Sequence, residues 1–212
     1  MKGKKIKIAG VLLFSTMLAV TSLAACGTKT TSKSTGSSGS TTTVSASDMF
    51  TKRDLDSGYD ESKATKIKLS DSKTTVSGDG AKFSSENGVN TITITKEGTY
   101  ILSGKLNGQV VVNTDKTAKV QIVLKGATVS SKSTAAIYVK QADKVFLTLA
   151  PNSENTLTET GEFASDNSST VDGVIFSKDD LSINGTGLLK ISTESGHGVV
   201  SKDDLVIASG TI

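Results

Sequence analysis

The sequence predicts an all-β protein wound as a parallel β-helix with turns of about 24 residues. Three observations carry that expectation. Ser177-Lys178-Asp179-Asp180-Leu181 returns as Ser201-Lys202-Asp203-Asp204-Leu205, 24 residues later, and a Gly-Val run precedes each copy. Short Val/Ile/Leu runs alternate with polar residues and end in Gly, Asn or Asp, as half-buried strands do. After residue 66 no stretch carries a helical period, and Pro151 is the only proline.

Taken in order, the chain opens with a targeting segment. Lys2, Lys4, Lys5 and Lys7 precede an apolar run from Ile8 to Leu23, and Leu23-Ala24-Ala25-Cys26 has the form of a lipoprotein cleavage site. Residues 1–25 are therefore read as a signal peptide and Cys26 as the lipidated N-terminus of the mature protein. The expected location is the extracellular face of the cell membrane. Cys26 is also the only cysteine, so no disulfide forms within the chain. From Gly27 to about Ser47 the composition is Gly, Ser, Thr and Lys, which buries no core and reads as a tether. The stretch from Asp48 to Thr65 is polar and mixed, and fits either a short helix or an N-terminal arm. Residues 26–65 are thus tether and arm, and residues 66–212 the β domain.

Within that domain, Ile67 and Leu69 alternate first, then Thr91 to Thr95, then Gly98 to Leu102. A central strand recurs at Val120, Val145, Leu181 and Leu205, in steps of 25, 36 and 24 residues. The long step holds Glu159 to Thr170, read as a solvated loop inserted between turns, with Glu159, Glu162 and Asp166 in water. A two-sheet sandwich is the rival architecture. The final turn stops at Ile212 inside a repeat, so the sequence is expected to be a fragment lacking further turns.

The formal charge of +3 misleads, because the four signal lysines create it; without them 20 basic residues face 21 acidic ones. Residues 141–212 hold 4 lysines and 11 acidic residues. Nucleic-acid binding, which calls for a basic face, is not expected. The acidic end suits a cation.

Several segments together resemble a family of bacterial cell-surface carbohydrate-binding β-helix proteins of clostridial type. They are Gly98-Thr99-Tyr100-Ile101-Leu102-Ser103-Gly104, Ala142 to Leu149, Asn155-Thr156-Leu157-Thr158, Lys178 to Gly187, and His197 to Leu205. The resemblance implies a right-handed parallel β-helix, bound calcium, and affinity for plant-type polysaccharides, acidic sugars and cellulose among them. It also implies an architecture shared with polysaccharide lyases, in a family known for binding.

Stacked turns would set Asp179 beside Asp203 and Asp180 beside Asp204, about 5 Å apart. Carboxylates so close repel unless a cation bridges them. Calcium takes six to eight oxygens, so Asp172, Asp179, Asp180, Asp203 and Asp204 are the candidate metal ligands. The competing reading has Lys178 and Lys202 neutralising the stack. The absence of Trp and the three tyrosines speak against tight cellulose binding. A pectate lyase-like activity would want an arginine base, and the only arginine, Arg53, precedes the β domain. His197, the sole histidine, lies in a Ser-Gly-His-Gly turn and is read as structural, as is Asn155. Asn184-Gly185-Thr186 matches a glycosylation pattern but is assigned to a turn. A non-catalytic surface scaffold or adhesin is the remaining alternative.

Overall fold

The computed structural model describes Lys7–Ile8, residues 49–163, 165–166 and 169–212. Cys26 and the tether lie outside the described residues, as does the apolar run beyond Ile8. Among the described residues no helix is long and apolar enough to cross a membrane.

The fold is all-β, and most strand pairs are parallel. Successive passes of the chain stack in register and form three ladders. The first joins Thr65–Leu69, the beginnings of Gly98–Asn113 and Lys119–Lys132, then Lys144–Leu149, Asp180–Gly185 and Leu205–Ile207. Val120 pairs with Val145, Val145 with Leu181, and Leu181 with Leu205, so the recurring strand read from the sequence is the observed one. The second ladder joins the middle of Gly98–Asn113 to the end of Lys119–Lys132, then Glu154–Thr160 and Leu188–Thr193. The third runs through Val89–Ile94, the end of Gly98–Asn113, Ile137–Gln141, Gly173–Ser177 and His197–Ser201. These parallel registers exclude the antiparallel sandwich.

Alternation explains the core. Ile92, Val110, Ile137, Ile175 and Val199 stack along the third ladder, and Leu106, Val129, Leu157 and Ile191 along the second. With Leu102, Leu124 and Leu149 from the first ladder they form one continuous apolar column. Parallel stacking makes like side chains neighbours, which is why each turn repeats the same Val/Ile/Leu choice.

Corners demand glycine. Gly104 has φ +95, and a Cβ there would lie 2.5 Å from the Leu69 carbonyl oxygen; here Gly98–Asn113 bends from the first ladder into the second. The start of the assembly is antiparallel. Ala81–Glu86 returns as Val89–Ile94 through Asn87-Gly88, both at positive φ, the signature of a tight hairpin turn.

Two early readings change. The arm opens with a one-turn helix, Lys52–Leu55, and continues without regular structure to a turn at 61–63. Glu159 is not in a solvated loop. It belongs to Glu154–Thr160 and is fully buried, accepting from the Ser133 backbone N–H at 3.2 Å and from Thr193 Oγ1 at 3.0 Å. Its side chain ties three turns together, and sequence polarity misread it. The insertion begins only at Gly161 and includes a small antiparallel pair, Ser165–Asp166 with Ser169–Thr170.

Candidate functional site

The aspartate column comes first. Leu181 lies on Leu205 and its N–H donates to the Asp204 carbonyl at 2.9 Å, so the Asp-Asp pairs that lead into these two leucines come to the same corner. The carboxylates of Asp179 and Asp180 are used locally. Asp179 Oδ2 accepts from the Ala142 N–H at 3.0 Å, and Asp180 Oδ1 from the Asp204 N–H at 3.1 Å. The Asp179 carbonyl also accepts from Ser177 Oγ at 2.6 Å and Ser201 Oγ at 3.0 Å. Asp203 is likewise engaged. These bonds staple neighbouring turns at one corner.

Asp172 lies elsewhere. It precedes Gly173–Ser177, whereas Asp179 follows it, so the length of a five-residue strand, roughly 16 Å, separates them. Its carbonyl accepts from the His197 N–H at 2.8 Å, and its Oδ1 is buried without a hydrogen-bond partner among the described residues. The structure therefore brings four of the five predicted ligands to one corner. Among the described residues no group of three or more His, Cys, Asp or Glu converges on a metal-sized space. His197 is exposed at the first position of His197–Ser201, as the register neighbour of Gly173.

The lysines beside the aspartates turn to rings. Val111, Tyr138, Phe176 and Val200 are register neighbours on the outer side of the third ladder. Tyr138 and Phe176 meet edge to face, centroids 5.7 Å apart. Lys140 and Lys178 rest 5.6 and 5.8 Å from the Tyr138 centroid, and Lys202 rests 5.3 Å from that of Phe176. Each ring face attracts the ammonium above it. The rings are 8% and 0% exposed, because the lysine stems and their apolar neighbours cover them. The ammonium groups stand in water. The sequence analysis missed this column, although its signal is present: an outward ring or valine followed two residues on by lysine, in three successive turns.

On the first ladder the arm folds back. Asp54, 1% exposed, pairs with Lys144 at 2.7 Å and closes a capping box with Thr51. Burial alone would raise its pKa; the bonds from Lys144 and Thr51 outweigh that and hold its carboxyl below the usual range. Arg53 lies 4.5 Å over the Phe146 ring and donates to Gln121 Oε1 at 3.1 Å. Asn184 is fully buried and donates to the Asp54 and Asp56 carbonyls at 3.0 and 3.1 Å. It serves the fold and is closed to glycosylation. Between the arm and the first ladder, Glu61, Lys66, Lys68, Ser103 and Lys125 help to line a cleft of about 470 Å³.

The stacked flank of the third ladder is exposed through its lysines and repeats from turn to turn. Residues 88–212 match the family described as "Carbohydrate-binding domain-containing protein", and the chain belongs to that family. A protein of this description from Acetivibrio thermocellus is 35% identical over 124 residues, 57% of this chain and 43% of that one. A solved structure described as a polysaccharide lyase-like protein from C. thermocellum, as a gadolinium derivative, aligns with TM-score 0.63 and 31% identity. It covers 69% of this chain and 59% of its own. The chain thus spans less than half of the curated relative and about three fifths of the solved one.

Proposed function

We propose that this protein is a lipid-anchored, extracellular polysaccharide-binding module, built as a right-handed parallel β-helix and using calcium as a structural or bridging ion. Cys26 is the anchor site in this reading. Membership of a carbohydrate-binding family over residues 88–212, the region in which the ladders stack, is the observation that carries it. The three in-register ladders support the β-helix; their steps run from 18 residues, Ile92 to Val110, to 38, Ile137 to Ile175, so 24 residues is one spacing among several. Calcium rests on the paired carboxylates of Asp179/Asp203 and Asp180/Asp204 and on the turn carbonyls around them. Such an ion would join protein and uronate carboxylates. Asp172 would require a second ion.

Pull-down of the protein with polygalacturonate and with cellulose, each with and without EDTA, tests the reading. Chelator-sensitive binding to polygalacturonate is the expected result. Binding to neither polymer under any condition would leave a surface scaffold or adhesin as the better account. The lyase-like solved relative favours one further assay: an unsaturated, ultraviolet-absorbing product would make the protein a lyase.

A further inference from the structure

The lysine column offers a second way to hold an anionic sugar. Ser177 pairs with Val139 and with Ser201, and the Lys178 and Lys202 N–H groups donate to the preceding turns at 3.0 and 2.8 Å. Lys140, Lys178 and Lys202 therefore follow one another along the stacking direction at about one strand spacing, roughly 4.8 Å. Like charges set opposite one another on adjacent strands destabilise a sheet. Among the described residues no ion pair joins these three lysines to a carboxylate. Five other described lysines are ion-paired, Lys119 with Asp143 and Lys125 with Glu61 among them.

The rings beneath the column supply the reason it is tolerated and what it does. Each ammonium lies within 6 Å of a ring centroid, and each stem lies over apolar surface. The lysines are held before any ligand arrives, which lowers the ordering cost that long side chains otherwise impose on binding. A flat, periodic row of cations matches a linear polymer that carries one carboxylate per repeating unit. Tyr138 and Phe176 have no exposed faces on which nucleic-acid bases could stack, so the row does not suit a single strand of DNA or RNA.

We propose that Lys140, Lys178 and Lys202, seated on Tyr138 and Phe176, form a calcium-independent strip that binds the carboxylates of an acidic polysaccharide lying along the ladder. The proposal rests on the polysaccharide-binding reading above and adds a site to it.

The test uses the full chain in EDTA, titrated with polygalacturonate, with fully methyl-esterified pectin and with single-stranded DNA, at low and high salt. Polygalacturonate should bind and weaken with salt, and its esterified form should not bind. Changing all three lysines to glutamine should weaken binding roughly tenfold or more at low salt. Changing all three to arginine should preserve it. Thermal melts of both triple variants establish that they fold, and the esterified polymer tests the charge requirement without any substitution. Unchanged binding by the folded glutamine variant, equal binding of the esterified polymer, or preferential binding of DNA would overturn the strip. Binding seen only with calcium would overturn it and leave the calcium-bridged reading standing. Binding to no polysaccharide, with or without calcium, would end both.

Discussion

Replacing Asn155 with alanine is expected to destabilise the protein by about 3 kcal/mol or more, because several buried groups lose their partner at about 1–3 kcal/mol each. Asn155 is fully buried in the second ladder. Its Oδ1 accepts from the Gly126 and Ala127 N–H groups, both at 3.0 Å, one turn earlier. Its Nδ2 donates to Ser153 Oγ at 2.9 Å and to the Leu188 carbonyl, one turn later, at 3.1 Å. One side chain thus fastens three consecutive turns where the backbone leaves the ladder. At this chain length such a loss corresponds to a fall in Tm of roughly 6–12 °C. Asn155→Asp separates the two halves of the role: the acceptor bonds survive while the donors vanish, and a carboxylate faces the Leu188 carbonyl. Circular-dichroism melts of the two variants check this. A Tm for Asn155→Ala within 2 °C of wild type would show that water or backbone relaxation replaces the bracket.

Asp54→Ala is expected to release the arm. Removing one partner of a buried ion pair costs about 3–5 kcal/mol, since the other charge is left in place without compensation. Lys144 would be that charge, its side chain 15% exposed beneath the arm. The helix Lys52–Leu55 loses its capping box at the same time. The ladders hold themselves through their own registers and core, so the effect falls on residues 49–64. Limited proteolysis should cut that stretch in the variant and spare it in the wild type, with a smaller change in global Tm. The pH dependence follows from the sign of the shift. Asp54 titrates lower in the folded protein than in the unfolded chain, so its contribution is complete above the usual carboxylate range. It is lost as the pH falls through the depressed value. Arm protection should therefore persist in mild acid and fail only below the range in which ordinary carboxylates titrate. Protection that disappears near neutral pH would contradict the pairing.

Much of the architecture was legible because parallel stacking writes itself into sequence. Val120, Val145, Leu181 and Leu205 are register neighbours and also neighbours in the repeat, so the period and the ladder are the same fact. The approach of Asp180 to Asp204 was legible for the same reason. Asp172 was harder: its closeness in sequence to Asp179 conceals a whole strand length between them. Glu159 was misread because a polar run reads as solvent-facing, whereas Ser133 and Thr193, 26 and 34 residues away, give its carboxylate buried partners.

The sequence alone determined the all-β class, the recurring strand at Val120, Val145, Leu181 and Leu205 and the apolar column, since each depends on a local alternation that recurs along the chain. Tertiary structure alone decided where the arm docks and which outward residues share a flank. Asp54 and Asn184 meet across 130 residues without any periodicity to announce it. Lys140, Lys178 and Lys202 become one row only after the uneven insertions between their turns have been looped out. Register is an energetic choice of the whole core, and a contact that depends on register is invisible until the core has made it.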